Sequence, residues 1–398
     1  MSWPLVALGD IFEIARGGSP RPIDAYITDD PDGVNWISIR DASNSSKYIT
    51  KTEKKILSTG VSKSRLVKPG DFLLTNSMSF GRPYILQTSG CIHDGWLVLR
   101  GDQKIIDQDY FYHLLGSDLI YRKFASLAAG AVVKNLNSDL VRSVRVPLPP
   151  LLEQRRIAAI LDKADALRAK RRDTIAKLDQ LLQSVFLEMF GDPVANPKGW
   201  EFQKVGNILA RKSCNGAYYP SECYVPVGGT PMVHMSDAFY GTVRRDSLKR
   251  VAVSQKDVEK YGLSPNDILV SRRSLTYEGS AKPCLIEDVG EPLIFESSLI
   301  RLTPDPEKIL PIYLYHFLNN ARARSKYVFK HVTKSTISGI SQSGLHEVEI
   351  MIPTIELQTQ FAQTVSKIEA HQRKLGKVGD TADQLFQSLQ KQAFAGRL

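Results

Sequence analysis

Four aspartates recur in matched contexts: Asp41 in WISIRD and Asp71 in GDFLLT, then Asp237 in MVHMSD and Asp267 in NDILVS. Paired carboxylates are what a metal-dependent nuclease needs. Each of these falls at the end of an apolar run, however, where an aspartate's common work is to cap a turn. Turn capping is the expected role. An amino-methyltransferase would need Asn-Pro-Pro and an aromatic ring to hold its target amine. Asn196-Pro197-Lys198 lacks the second proline and the ring. No GxGxxG follows a strand, and neither GxxxxGK[ST] nor HExxH occurs. Cys91, Cys214, Cys223 and Cys284 form no CxxC and read as scattered reduced thiols. The expectation is a non-catalytic chain with no metal and no cofactor.

The other residues with chemistry to offer are cations. The formal net charge is +10, which favours an acidic partner such as double-stranded DNA. Phosphate contact needs Lys and Arg, and base reading needs donors and acceptors on loops that enter a groove. In the first half the candidates are Arg40, then Lys47, Lys51, Lys54 and Lys55 on a Ser/Asn-rich loop, then Asn76, Ser77 and Arg82 after DFLLT, then Lys134 and Asn135. In the second half the matching places hold Arg244, Arg245, Lys249 and Arg250, then Arg272 and Arg273, then Lys326, Lys330, Lys334 and Ser335. Any one of them taken alone is more often a solvated surface residue. Their weight comes from clustering at equivalent places in both halves. Arg40, Arg272 and Arg273 are the preferred base readers, because Arg can bridge guanine in the major groove.

The elements that must position these loops are dominated by one stretch, Glu153 to Phe190, which contains no Gly and no Pro. Pro149-Pro150 precedes it and Gly191-Asp192-Pro193 follows it, the punctuation of a single long helix. At 1.5 Å per residue it would run roughly 57 Å. Apolar residues mark a heptad seam that includes Ile157, Leu161, Leu167, Leu178 and Leu182, broken by Arg171 and Thr174. The cluster Arg168 to Arg172 either leans towards DNA or forms a solvated face with Asp165 and Asp173 as partners. The partner helix is in the same chain. Pro149, Gln154, Ala158, Asp179 and Phe190 match Pro353, Gln358, Ala362, Asp383 and Phe394 without a gap. The second seam includes Phe361, Ile368, Leu385 and Leu389, with His371 intruding and Gly376 and Gly379 expected to loosen the helix.

The globular parts repeat as well. Trp3–Ile11 reads as a short strand leading into a turn, strands are expected at Asn35–Ile39, Asp71–Thr75, Cys91–Arg100 and Ser143–Leu148, and a helix at Tyr110–Leu127. WEFQKVGNI, MVHMSD, NDILVS, IFESSLIRL and Tyr313-Leu-Tyr-His316 restate that frame in the same order. The fold class is therefore α+β: two mixed α/β domains joined by two long antiparallel coiled-coil helices, as a pseudo-two-fold internal repeat. The expected boundaries are 1–150, 151–192, 193–353 and 354–398. The 398 residues are 42% hydrophobic and 24% charged, ordinary for soluble protein. No apolar run approaches the ~18 residues of a transmembrane helix, and the N-terminus lacks the pattern of a signal peptide, so a cytoplasmic protein is expected.

The stretches PLPPLLEQRRIAAILDKADAL, MFGDPVANPKGW and GDFLLTNSMSFGR resemble the specificity subunits of type I restriction-modification systems. The resemblance covers essentially the whole chain. IPTIELQTQF departs from the pattern by lacking the second Pro and the Glu before Gln358. The resemblance implies that each globular half is a target recognition domain for one half of a bipartite DNA sequence. It also implies two adenine methyltransferase subunits along the helices and restriction/translocase subunits beside them. Two modules on one strut suggest half-sites about one DNA turn, or about 34 Å, apart. The rival expectation is a coiled-coil scaffold that does not touch DNA.

Overall fold

The structure, a computed structural model, describes residues 3–43, 45–76, 81–128, 136–239, 241–243, 248–287 and 290–398, and only the backbone at 377, 378 and 380. The chain divides into two compact units, Met1–Asp173 with Gly376–Leu398, and Thr174–Leu375. Each unit holds one globular domain and a stretch of both long helices.

In the first unit, one five-stranded sheet runs in the order Phe12–Arg16, Trp96–Gly101, Phe72–Thr75, Pro83–Leu86, Tyr48–Ile49. It is covered on both faces, which is why Phe72–Thr75 is buried at every position, and apolar at the first three, rather than alternating. Leu73, Tyr84, Trp96 and Val98 pack with Ile37, Val67 and Ile92 of a second five-stranded sheet. Phe72, Leu74, Leu97 and Leu99 pack instead with Tyr110, Phe111 and Phe124 of the following helices and with Ile157, Leu161, Phe386 and Phe394 of the long ones. The domain closes on a two-stranded ribbon, with Leu5 opposite Pro147, just before the central helix begins.

Two expected elements are each divided in two. Cys91–Arg100 yields strands Gly90–Ile92 and Trp96–Gly101, which lie in different sheets. The break is a turn at His93-Asp94-Gly95, where the Gly95 N–H donates to His93 Nδ1 and the Trp96 N–H to the His93 carbonyl. The expected helix Tyr110–Leu127 is Gln108–Leu115 and Asp118–Ala128. Gly116 caps the first, and the Ser117 hydroxyl donates back to the Leu114 carbonyl. Turn chemistry overrides apolar continuity in both cases. The short strand leading into a turn expected at Trp3–Ile11 is strand Leu5–Ala7 followed by a single helical turn, Leu8–Ile11.

The second unit uses the same frame. Its ribbon pairs Glu201 with Ile352, and its main sheet runs Leu209–Asn215, Leu299–Pro304, Ile268–Ser271, Pro283–Leu285. Trp36 lies parallel to Cys91 in the first unit, and Met232 to Ile294 in the second. The repeated aspartates cap turns, as expected. Asp41 accepts from the Ser38 N–H, Asp71 from Lys68, Asp237 from His234 and Asp267 from Ser264, always three residues back.

The long helices are Leu151–Phe190 and Ile355–Phe394, each of 40 residues. A buried glutamine fastens each to its own domain. Gln154 accepts from the Asp107 N–H and donates to the carbonyls of Ile105 and Pro149. Gln358 accepts from the Leu310 N–H and donates to the carbonyl of Pro353. The helices run antiparallel in both units. Arg168 meets Asp383 in the first, while Asp179 meets Gln372 and Phe190 meets Phe361 in the second.

The seam differs from the heptad count at Leu167, Leu181 and Leu385, which the heptad places inward and which are exposed. Ile157, Leu161, Leu182, Phe361 and Ile368 are buried, and Leu178 and Leu389 pack against the cores partly buried. Leu167 is 64% exposed and Leu385 58% exposed. The inward row steps 157, 161, 164, 168, so Arg168 takes the place assigned to Leu167. Its guanidinium lies over the Phe386 ring at 4.3 Å and pairs with Asp165 and Asp383. Phe386 is correspondingly the inward residue next to Leu385. A straight helix has 3.6 residues per turn, and its inward row drifts from a strict heptad. Gly376 and Gly379 do not interrupt the distal helix. A Cβ at Gly379 would overlap the Arg171 guanidinium, so the glycine makes room for a crossing arginine.

Candidate nucleic-acid interface

The two domains build the same device from different residues. In the second unit the strand Ile268–Ser271 ends at Ser271, whose hydroxyl accepts from the Lys282 N–H and donates to the Gly279 carbonyl. Backbone bonds from Ser271 N to the Lys282 carbonyl and from Ala281 N to the Ser271 carbonyl close the loop. Ala281 sits at φ +56°, a left-handed conformation that costs a non-glycine residue energy. A later segment then returns. Ile340 N donates to the Arg272 carbonyl, and Arg273 pairs with Gly339. A Cβ at Gly339 would come within 2.7 Å of the Arg272 oxygen, so this close approach requires glycine.

In the first unit Thr75, Gly81, Arg82 and Leu136 repeat these roles. The Thr75 hydroxyl accepts from the Arg82 N–H, Gly81 N donates to the Thr75 carbonyl at φ +72°, and Leu136 N donates to the Asn76 carbonyl. Arg82 and Lys282 are thus equivalent cations, each followed by proline and each over an aromatic ring: Tyr84 at 5.3 Å and Phe239 at 4.3 Å.

The structure therefore brings Arg272, Arg273, Lys334 and Ser335 to one place. Arg273–Ser274, Ser338–Ile340 and Val332–Thr333 form a three-stranded sheet, and Lys334 and Ser335 lie on the tip between its last two strands. Arg273, Lys334 and Ser335 are exposed, and the Lys334 ammonium lies 5.5 Å from the Tyr277 ring. Cations and ring faces on projecting loops suit phosphate and base contact. Arg40 and Lys51 are exposed too, with Arg40 lightly paired to Glu53 at 3.5 Å. Lys326 is exposed on the turn Arg324–Val328. Ser77, Lys134, Asn135, Arg244 and Arg245 lie outside the described residues.

Two candidates are corrected. Asn76 is buried, and its amide donates to the Asp94 carbonyl. It holds the His93–Gly95 turn and presents only its backbone to the loop. Lys47 is half-buried and pairs with Asp109 at 2.6 Å and Asp162 at 2.8 Å, with the Tyr112 ring 5.1 Å away. Burial lowers its pKa, but hydrogen bonds and charge from the two aspartates outweigh that and raise it above the ordinary lysine value. Asp162 also accepts from His113, so Lys47 ties its loop to the central helix. Arg250 is similarly committed, pairing with Glu291 and donating to the carbonyls of Gly228 and Gly229.

Sequence reasoning missed Lys282 and Arg324. The signal for Lys282 was present, since Ala-Lys-Pro restates Gly-Arg-Pro. Arg324 is buried, and its two terminal nitrogens donate to four carbonyls: Ala281 and Leu318 from one, Glu278 and Ser280 from the other. Burial lowers its pKa from the ordinary arginine value. Three of the four carbonyls belong to the loop that carries Arg272 and Arg273.

The α/β domain is built twice, and each copy ends a strand in a braced loop that carries a cation. The chain belongs to the family described as "Type I restriction modification DNA specificity domain", whose profile matches residues 2–178 and 197–378. It is 24% identical over 431 residues to the type I restriction enzyme EcoKI specificity subunit of Escherichia coli K12, covering 100% of this chain and 89% of that one. Among solved structures it resembles the type I restriction-modification S subunit from M. genitalium, with a TM-score of 0.56, 16% identity, and 99% and 96% of the two chains covered. A chain from a study of type I R-M complex assembly and conformational transition superposes with a TM-score of 0.58 at 18% identity, covering 100% and 98%. No helix among the described residues is long and apolar enough to cross a membrane.

Proposed function

We propose that this chain is the DNA-reading subunit of a type I restriction-modification complex. It recognises a bipartite, gapped sequence, one word per domain, and directs methyltransferase and restriction subunits to it. The observation that carries the reading is the braced loop and returning segment built twice, at Thr75–Arg82 with Leu136 and at Ser271–Lys282 with Ile340. Arg273, Lys334 and Lys282 supply phosphate and base contacts in the second domain, and Arg40, Lys51 and Arg82 in the first. The chain itself supplies no catalysis; its partners are two adenine methyltransferase subunits and the restriction/translocase subunits.

The test is a domain exchange. Residues 194–352 are replaced by the corresponding part of a relative with a different target, and methylated adenines are mapped in cells that also carry the methyltransferase subunits. One word of the target should change and the other should stay. A change in both words, or in neither, overturns the two-module reading.

A further inference from the structure

The braced loop of the second domain carries an apolar feature that phosphate contact does not explain. Leu275 is 85% exposed and Ile337 is 54% exposed. The register that pairs Ser274 with Ser338 puts these two side chains at the next step of the same ribbon. Both line one cleft of about 470 Å³, with Met235, Phe239 and Arg273 on its other walls. A large aliphatic residue left in water forgoes the stabilisation available from its burial. Here a pair of them stands among Arg273, Lys334 and Lys282, where a polyanion would be drawn.

The occupant follows from that combination of charges and apolar surface. A duplex approaching these cations presents base edges bearing hydrogen-bond donors and acceptors, and one kind of apolar group. That group is the C5-methyl of thymine in the major groove. We infer that Leu275 and Ile337 form a thymine-methyl contact, so that the word read by the second domain contains a thymine held by its methyl group beside the base read by Arg273. The inference rests on the DNA-reading role proposed above and adds a base and a chemical group to it.

Uracil substitution tests this directly, because deoxyuridine differs from thymidine only by the missing methyl. The probes are duplexes carrying the mapped target, with each thymine of the second domain's word replaced in turn. The protein is the full chain assembled with its methyltransferase subunits. At one position uracil should weaken binding about fourfold, the equilibrium worth of burying one methyl group. In Leu275→Ser and Ile337→Ser that ratio should fall to about one, with sensitivity to other base changes retained. Both residues are exposed, so neither variant threatens the core.

If no thymine in that word is sensitive to its methyl, or the word contains none on either strand, the inference fails. It fails equally if the ratio persists in both variants. It fails again if Leu275→Ser releases the methyltransferase subunits, which would make the patch a protein-docking face. In these cases a wild-type complex that still prefers the mapped duplex leaves the DNA-reading role standing. A wild-type complex without that preference overturns the role itself.

Discussion

Arg324 offers the sharpest perturbation of the recognition loop, because it is buried and its hydrogen bonds to that loop all go to backbone carbonyls. Its terminal N–H groups match four carbonyls at 2.7 to 3.2 Å, and Arg324→Met removes all four donors while keeping most of the apolar stem. A hydrogen bond from a charged donor contributes about 1.5–3 kcal/mol. Removing the guanidinium also removes the desolvation cost of a buried charge, which offsets part of the loss. A net cost of about 3 kcal/mol to the closed loop is a reasonable balance, equivalent to roughly a hundredfold more opening. Hydrogen exchange of peptides spanning 272–282 should accelerate by that order, while peptides spanning 72–76 and 81–86 keep their protection. The target mapped for the variant should degrade in one word and keep the other. Arg324→Lys should rescue little, since one ammonium cannot reproduce the planar fork. Unchanged exchange at 272–282 in Arg324→Met would refute the idea that this residue braces the loop.

The cores of the long helices give two further expectations. Phe361 is fully buried, with ring contacts to Phe186, Phe190 and His316 at 5.8, 5.2 and 5.2 Å. Phe361→Ala should cost about 3–5 kcal/mol in urea unfolding, whereas Leu167→Glu should leave the midpoint of the isolated chain within about 0.5 kcal/mol. Equal losses would contradict the seam described here. His316 is held down to a pKa of about 4 by burial, with Nε2 enclosed and unpartnered among the described residues. The unfolded ring takes a proton near pH 6.5 and the folded ring resists it, so stability is full above that pH and declines as pH falls from 6.5 towards 4. The loss should approach about 3 kcal/mol. His316→Phe should flatten that slope, and a variant with the wild-type slope would show that another group is responsible.

Much of the architecture was legible because it is written in repetition. Pro149, Gln154 and the Asp of each turn recur at matched spacing, and matched spacing survives even where surface residues diverge. The long helices were legible because the first excludes Gly and Pro and the second repeats its spacing, although Gly379 was misread as a weak point for want of its partner Arg171. The losses have local causes. The Cys91–Arg100 run reads as one strand because apolar residues stand on both sides of His93-Asp94-Gly95, yet those three residues turn the chain into another sheet. Asn76 looks like a base reader beside Ser77, but only the structure shows its amide committed to Asp94. Lys47 looks like a free cation until Asp109 and Asp162, distant in sequence, are placed against it. Arg324 carried no signal, since nothing in Ala-Arg-Ala-Arg-Ser-Lys separates it from its basic neighbours Arg322 and Lys326 or hints at the four carbonyls around it.

On the proposed reading this chain decides which DNA is modified, through two words with a fixed gap. The most direct measurement is genome-wide mapping of methylated adenine in cells carrying the methyltransferase subunits with the wild-type chain, with Arg273→Ala, or with no chain. The wild type should methylate one sequence of two short words at constant separation. The Arg273→Ala chain should relax one position of one word at a discrimination cost of about 1–3 kcal/mol, and cells without the chain should show none of this methylation. A continuous target, a variable gap, or the same methylation without the chain would contradict the account.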